Sequence, residues 1–408
     1  MPLLPSSKPV GPGGWLTNSG TDGSLFAAKG NKTPDFYGFG YEMRRWDTLA
    51  SIPLGVEDKY PGAGCSGISD AQGSIYMAKG NNTRGFWHYD IARDSWSQLA
   101  DVPTGNPEKR AKGGTSVAYA VRRDTGWVYL LKGGTRQFFK YNTATRTWQQ
   151  LVDAPLGQGK PFGKGSWITY DGERKLYAYK AKQDEMYRYD VATDSWEARA
   201  LSPMPTIGRM GKPKKSGDGC SATWKGGYMY AFKGGNTQEF WRYNTATDSW
   251  TELDTLPIIG TAAKKRKVKA GAGLSSFGNW DTIYVGQMLF ALKGNKTCEF
   301  WWKGLDLPLG GGVFVGEVVR SLPPLPRFHV RPSLVSGRVA YIDYHLEQPG
   351  LAVIQVSDAA GRIRLTRRFR ANAIGLFCLH MPELPPGTYL VTLKSGGKSR
   401  TQKLVVHR

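Results

Sequence analysis

Base-dependent catalysis would have to start from histidine, and this chain has 5 histidines among 408 residues. Only His88 precedes residue 305; His329, His345, His380 and His407 all lie beyond it. Serine or cysteine hydrolysis needs a base within hydrogen-bond reach of the nucleophile, and copper sites favour several imidazoles, so neither chemistry has its parts. His88 follows Trp87 in an aromatic run and reads as an ordinary strand residue. No His/Cys group has metal-ligand spacing, so no metal site and no cofactor are expected. The carboxylates are the remaining catalytic candidates. Glu185, Glu239 and Glu299 recur at related positions ahead of aromatic runs, and two carboxylates at the right separation hydrolyse glycosides. Turn-capping or solvated groups copied with a repeat are the competing reading, and no catalytic residue is assigned.

Positive charge is the second chemical feature. Lys and Arg number 55 against 33 Asp and Glu, a net charge of +22, which suits an anionic partner. Six lysines close six similar apolar runs: Lys29, Lys79, Lys132, Lys180, Lys233 and Lys293. Further basic residues crowd the segments that precede later repeats: Lys109, Arg110 and Lys112; Lys160 and Lys164; Arg209, Lys212, Lys214 and Lys215; Lys264, Lys265, Arg266, Lys267 and Lys269. Among these segments only residues 54–64 are net acidic. Both sets are candidate ligand-binding residues for an acidic polymer. For the six lysines the alternative is one residue copied with each repeat, its stem covering aromatic surface. Nucleic acid is not favoured over acidic polysaccharide, because base-stacking platforms are not separable here from core aromatics.

An internal repeat carries these residues. SLFAAKGNKT, SIYMAKGNNT, WVYLLKGGTR, KLYAYKAKQD, YMYAFKGGNT and MLFALKGNKT align. A tryptophan follows each of the first five (Trp46, Trp96, Trp148, Trp196, Trp250). An aromatic stands at a fixed distance before it (Phe39, Tyr89, Tyr141, Tyr189, Tyr243) and a proline at the same distance after it (Pro53, Pro103, Pro155, Pro203, Pro257). Each repeat reads as four strands: one after a glycine cluster, the apolar run, an aromatic strand such as EFWRYN, and a strand such as SWTEL. An Asx turn begun by Asp90, Asn142, Asp190 or Asn244 joins the last two. Antiparallel order sends the second-to-third and fourth-to-first connections out of one face, so the recurring lysines and the basic segments share a rim. A four-stranded sheet cannot bury both faces alone, which implies a closed ring of such sheets. The expected class is all-β. With 14 Trp, 20 Tyr and 16 Phe beside 52 Gly, the composition excludes a disordered chain. Four cysteines are too few for a disulfide scaffold. Cys65 and Cys220 occupy equivalent places in distant repeats and are expected to stay free thiols. No apolar run is long enough for a membrane-spanning helix.

The Gly pairs that end second strands (Gly133-Gly134, Gly234-Gly235), with Tyr and Trp at a fixed offset and a period of about 50 residues, resemble the kelch motif. The resemblance implies a six-bladed β-propeller over residues 1–304. It fixes no function, because kelch propellers serve as enzymes, adhesins and scaffolds alike. The copper-oxidase type would need two histidine ligands that these repeats do not contain. The sixth repeat lacks the Tyr-to-Trp pair and a fourth strand. Either residues 312–319 (GVFVGEVV) close it or an upstream segment does. The start, LLPSSKPVGPGGWL, looks like the end of a fourth strand with its loop. It lacks the regions of a signal peptide, and a truncated start or a mature form is expected.

Residues 305–330 are rich in Gly and Pro and read as a linker or a blade-closing segment. From 331 to 408, short alternating strands (VAYIDYHL, LAVIQVSD, IRLTRRF, GLFCLHM, GTYLVTL, TQKLVVHR) predict a small β-sandwich. Gly361-Arg362, Pro386-Gly387-Thr388-Tyr389 and the closing Lys403-Leu404-Val405-Val406 resemble the C-terminal sorting domain of type IX secretion cargo. That resemblance implies a Gram-negative bacterium, an extracellular or cell-surface location, and recognition of the tail by the secretion machinery. A generic immunoglobulin-like accessory domain is the alternative. In that setting the run AKKRKV (residues 263–268) is no nuclear signal. The triplets at Asn31, Asn81 and Asn295 belong to the recurring turn rather than marking glycans. The expected function is an exported, non-enzymatic binding or structural propeller whose basic face engages an acidic polysaccharide, another polyanion or a protein partner. The competing readings are an extracellular carbohydrate-active enzyme using channel carboxylates and a self-assembling surface protein.

Overall fold

The computed structural model describes residues 1, 6–20, 24–40, 45–260, 263–276, 288–305, 315–316, 328–331, 334–335, 339–346, 350–371, 374–381 and 384–406. The chain divides into two compact units, Met1–Val318 and Val319–Arg408.

Among the described residues the first unit forms six four-stranded antiparallel sheets, each with its strands in chain order. The first strands are Trp15–Asn18, Ser66–Ser69, Ser116–Arg122, Trp167–Tyr170, Ser221–Lys225 and Gly273–Ser276. Each touches the first strand of the next sheet, and Gly273–Ser276 touches Trp15–Asn18, so the sheets form a closed cycle. Glycine allows this crowding. Just before the first strands, Gly13, Gly64, Gly114, Gly165, Gly219 and Gly271 all have φ between +83° and +100°. A Cβ on any of them would overlap backbone carbonyl atoms of the adjacent sheet.

Aromatic residues fill the space between sheets. Phe86 on the third strand of the second sheet lies 5.0 Å from the Tyr141 ring and 4.8 Å from the Trp148 ring of the third sheet. Phe138 repeats this against Tyr189 and Trp196, and Phe300 closes the cycle against Phe39 and Trp46 at 4.8 and 4.9 Å. These edge-to-face and tilted pairs add to the area they bury. The fixed tryptophans also donate indole N–H groups backwards. Trp96 bonds the Ala50 carbonyl, Trp148 that of Ala100, Trp196 that of Val152 and Trp250 that of Ser202. Tyr89, Tyr189 and Tyr243 donate to Asp94, Asp194 and Asp248 in the turns before the fourth strands.

The sixth sheet takes its fourth strand from Val315–Gly316, which pairs with Trp301 and Trp302. This strand lies inside one of the two segments the sequence offered, 312–319, whose other residues lie outside the described ones. At the other end of the chain, Val10 bridges to Thr297 of the sixth sheet, as Ala111 bridges to Thr83 and Val268 to Thr237. The N-terminal segment thus takes the place of a loop entering a sheet. The stretch 305–330 is shared between the units, because Phe328–Arg331 is already a strand of the second.

The second unit has a three-stranded and a five-stranded sheet. Val330, Ala340 and Ile342 from the first and Ile354, Val356, Val391 and Leu404 from the second share one buried cluster. Tyr389 of the Pro-Gly-Thr-Tyr segment reaches back to the Pro385 carbonyl at 2.8 Å.

Candidate functional site

The rim carrying the second-to-third turns and the fourth-to-first loops is the chemically distinctive part of the first unit. The apolar second strands point the recurring lysines inward at this rim. Lys29, Lys79, Lys132, Lys180, Lys233 and Lys293 are each at most 2% exposed. They do not form the solvent-facing ring that the sequence allowed. Each ammonium lies between 4.6 and 5.9 Å from the centre of an aromatic ring near the start of the third strand: Tyr37, Trp87, Phe139, Tyr187, Trp241 and Trp301.

Four of the six are neutralised by a carboxylate just ahead of that strand's aromatic rings. Lys29 pairs with Asp35 at 2.7 Å, Lys180 with Glu185 at 2.9 Å, and Lys233 with Glu239 and Lys293 with Glu299 at 2.7 Å each. The ammoniums also hold the loop entering their own sheet by its backbone. Lys180 donates to the Leu156 carbonyl, Lys233 to Thr206 and Lys293 to Ile258. In the second and third sheets the carboxylate position holds Gly85 and Gln137, and among the described residues the lysines have carbonyl acceptors but no carboxylate within 4.0 Å. Lys79 donates to Pro53 and Leu54, and Lys132 to Pro103, Thr104 and Lys109. Burial, with Arg84 nearby, pulls Lys132 down to about 8, and burial also lowers Lys79.

This arrangement answers the question of the carboxylate trio. Glu185, Glu239 and Glu299 are buried ion-pair partners, and none lines the axial cavity. Burial opposes the charge on Glu185, but hydrogen bonds from Tyr187, Lys180 and the Gln158 N–H outweigh it and hold its pKa below the usual range. A charged, saturated carboxylate is poorly suited to proton transfer.

The loops behave differently. Lys109, Arg110, Lys112, Lys160, Lys164, Arg209, Lys212, Lys214, Lys215, Lys264, Lys265 and Lys269 are exposed, and Arg266 and Lys267 are half-buried. Arg110 pairs with Glu57 and Arg209 with Asp254. The other twelve have no ion pair within 4.0 Å among the described residues. The loop backbones are held by the buried lysines, while most of these side chains stand in solvent.

The first strands enclose an axial cavity of about 740 Å³. Lys164 and Asp218 line it at the basic rim. Burial raises the Asp218 pKa, opposed by the charges of Lys164, Lys269 and Lys182. Asp70 and Asp171 line the other end, where their carboxylates cap first-to-second turns through backbone N–H groups. Among the described residues no group of three His, Cys, Asp or Glu is placed to hold a metal ion. His88 sits half-buried 5.4 Å from the Tyr76 ring, with its pKa lowered by burial. Cys65 and Cys220 are buried free thiols, each 3.2 Å from an indole N–H, of Trp15 and Trp167. The triplets at Asn31, Asn81 and Asn295 are turn elements. Their amides donate to the Pro9, Tyr60 and Lys267 carbonyls, and the paired Thr33, Thr83 and Thr297 are buried.

No protein-family profile matches the chain, and no curated relative matches it. Solved structures do resemble it in shape. YjhT is 12% identical with a TM-score of 0.51, over 78% of this chain and 100% of its own. A structural-genomics protein from Bacteroides thetaiotaomicron is 12% identical at 0.47, over 71% and 68% of the two chains. An auxiliary nutrient binding protein from the same organism is 13% identical at 0.45, over 69% and 67%. Four-stranded sheets closed into a cycle around an axial cavity, with a fold like that of YjhT, make the first unit a β-propeller.

Proposed function

We propose that the six sheets are the blades of a kelch-type propeller and that the protein is an exported binding protein, not an enzyme. Its basic rim engages an acidic extracellular polymer, such as an acidic polysaccharide, at the surface of a Gram-negative bacterium. The second unit, a β-sandwich in this reading, serves as the type IX sorting domain. One observation carries the binding assignment: all the loop lysines but the half-buried Lys267 are exposed, none has an ion pair among the described residues, and the loop backbones beneath them are anchored. Such a surface gains by releasing counterions from a polyanion, so affinity falls steeply as salt rises.

The test replaces Lys212, Lys214, Lys215, Lys264, Lys265, Arg266, Lys267 and Lys269 with Gln. Binding of heparin, duplex DNA and an acidic glycan is then compared with the parent across a salt series. A weaker, flatter salt response in the variant supports the reading, and equal binding overturns it. Removing residues 319–408 should abolish export in a type IX-competent host; unchanged export would overturn the assignment of the tail.

A further inference from the structure

We propose that the second sheet holds a small monovalent anion, a halide or a formate-sized carboxylate, between Lys79 Nζ, Trp87 Nε1 and the Cα of Gly85. The proposal is independent of the polymer reading. It follows from comparing one position around the ring. In the first, fourth and fifth sheets a buried lysine, a carboxylate and a ring donor form a closed set. Asp35 accepts from Lys29 and from the Tyr37 hydroxyl; Glu185 accepts from Lys180 and the Tyr187 hydroxyl; Glu239 accepts from Lys233 and Trp241 Nε1. In the third sheet the carboxylate is replaced by Gln137, and the ring is Phe139, which has no donor to satisfy.

The second sheet breaks this covariation. It keeps the lysine and the donor ring, Lys79 and Trp87, but has Gly85 where the carboxylate should stand. Trp87 is 5% exposed and its Nε1 is buried without a hydrogen-bond partner. That nitrogen lies 3.0 Å from where a residue-85 Cβ would start, so it points at the missing side chain's position. Lys79 is 2% exposed and has no carboxylate within 4.0 Å among the described residues; its carbonyl partners Pro53 and Leu54 use two of three N–H donors. Glu57, on the loop above, is occupied by the Arg84 N–H and by Arg110. A buried ammonium without a counter-charge and a buried unpaired N–H are both costly, and an anion here would neutralise the one, take its third N–H, and accept from the other. Trp301 in the sixth sheet also has an unpartnered Nε1, but Glu299 stands at its acceptor position with an oxygen to spare.

Crystals soaked in sodium bromide and in sodium formate test the site directly. A bromide anomalous peak, or formate density, within hydrogen-bond reach of Trp87 Nε1 is expected in the parent, and its absence with both overturns the proposal. In solution, Gly85→Glu supplies the carboxylate internally, as Glu239 does. Across a bromide series the parent should gain roughly 2–4 °C more in melting temperature than Gly85→Glu. Trp87→Phe, which copies the ring found at Phe139, should lose both the peak and that extra gain, and it serves if Gly85→Glu fails to fold. Equal gains in the parent and both variants would mean a surface anion effect only and would overturn the site.

Discussion

Gly271 and Gly11 meet at the seam of the propeller, where a Cβ on Gly271 would overlap the Gly11 carbonyl. The same contact joins Gly13 to Gly62 and Gly165 to Gly217. The junction between the two ends of the ring is therefore built like the junctions inside it.

Gly271→Ala should cost about 2–4 kcal/mol, since it adds a backbone clash to the strain of φ at +83°. Gly172→Ala is the control. Its φ is +82°, but nothing lies within 4 Å of its Cβ position, so only conformational strain of about 1–2 kcal/mol applies. Urea denaturation of both variants measures the difference.

The Lys293–Glu299 pair, 1% exposed on each side, should show strong coupling. Either Lys293→Met or Glu299→Leu alone strands a buried charge and should cost about 3–5 kcal/mol, while the double variant recovers much of that loss. A double-mutant cycle by chemical denaturation reads the coupling.

Lys132 should make stability rise with pH between about 8 and the ordinary lysine value of 10.5. In that window the unfolded chain holds a proton that the fold has shed, so the penalty of burying the ammonium is complete below pH 8 and fades above it. Gln137→Glu supplies the carboxylate that Glu185 gives Lys180. It should raise stability at pH 7 and flatten this slope. The difference between parent and variant urea midpoints from pH 7 to 10 is the readout.

Cys65 and Cys220 should resist alkylation at pH 8 in the folded protein and react on unfolding. Burial pushes both thiols up to about 12, against the indole N–H donors that work the other way. Nonreduced peptide mass spectrometry should find no link between them.

The ring was legible because its constraints repeat: Trp96, Trp148, Trp196 and Trp250 use the same indole bond, and a fixed spacing in the chain records it. The fate of the lysines was not legible from the strand pattern. A lysine ending an apolar run can snorkel outward or turn in, and the sequence alone does not weigh the two. The missed signal was the carboxylate that follows it at nearly constant spacing: Asp35, Glu185, Glu239 and Glu299 each pair with the lysine of their own sheet. The closing strand Val315–Gly316 was one of two candidates because so short a strand has no periodicity of its own. The basic residues of the loops are plain in the sequence, but which of them pair, as Arg110 and Arg209 do, depends on geometry that the sequence does not contain.

Because Lys79, Lys132, Lys180, Lys233 and Lys293 grip main-chain carbonyls, their hold on these loops is blind to the side chains of the residues they grip. Leu156, Thr206 and Ile258 are bound through their backbone oxygens, which any residue would offer. Substitution of the solvent-facing loop lysines can therefore rewrite the rim without touching that hold. The propeller is a chassis whose solvent-facing lysines are free to vary at little cost to folding.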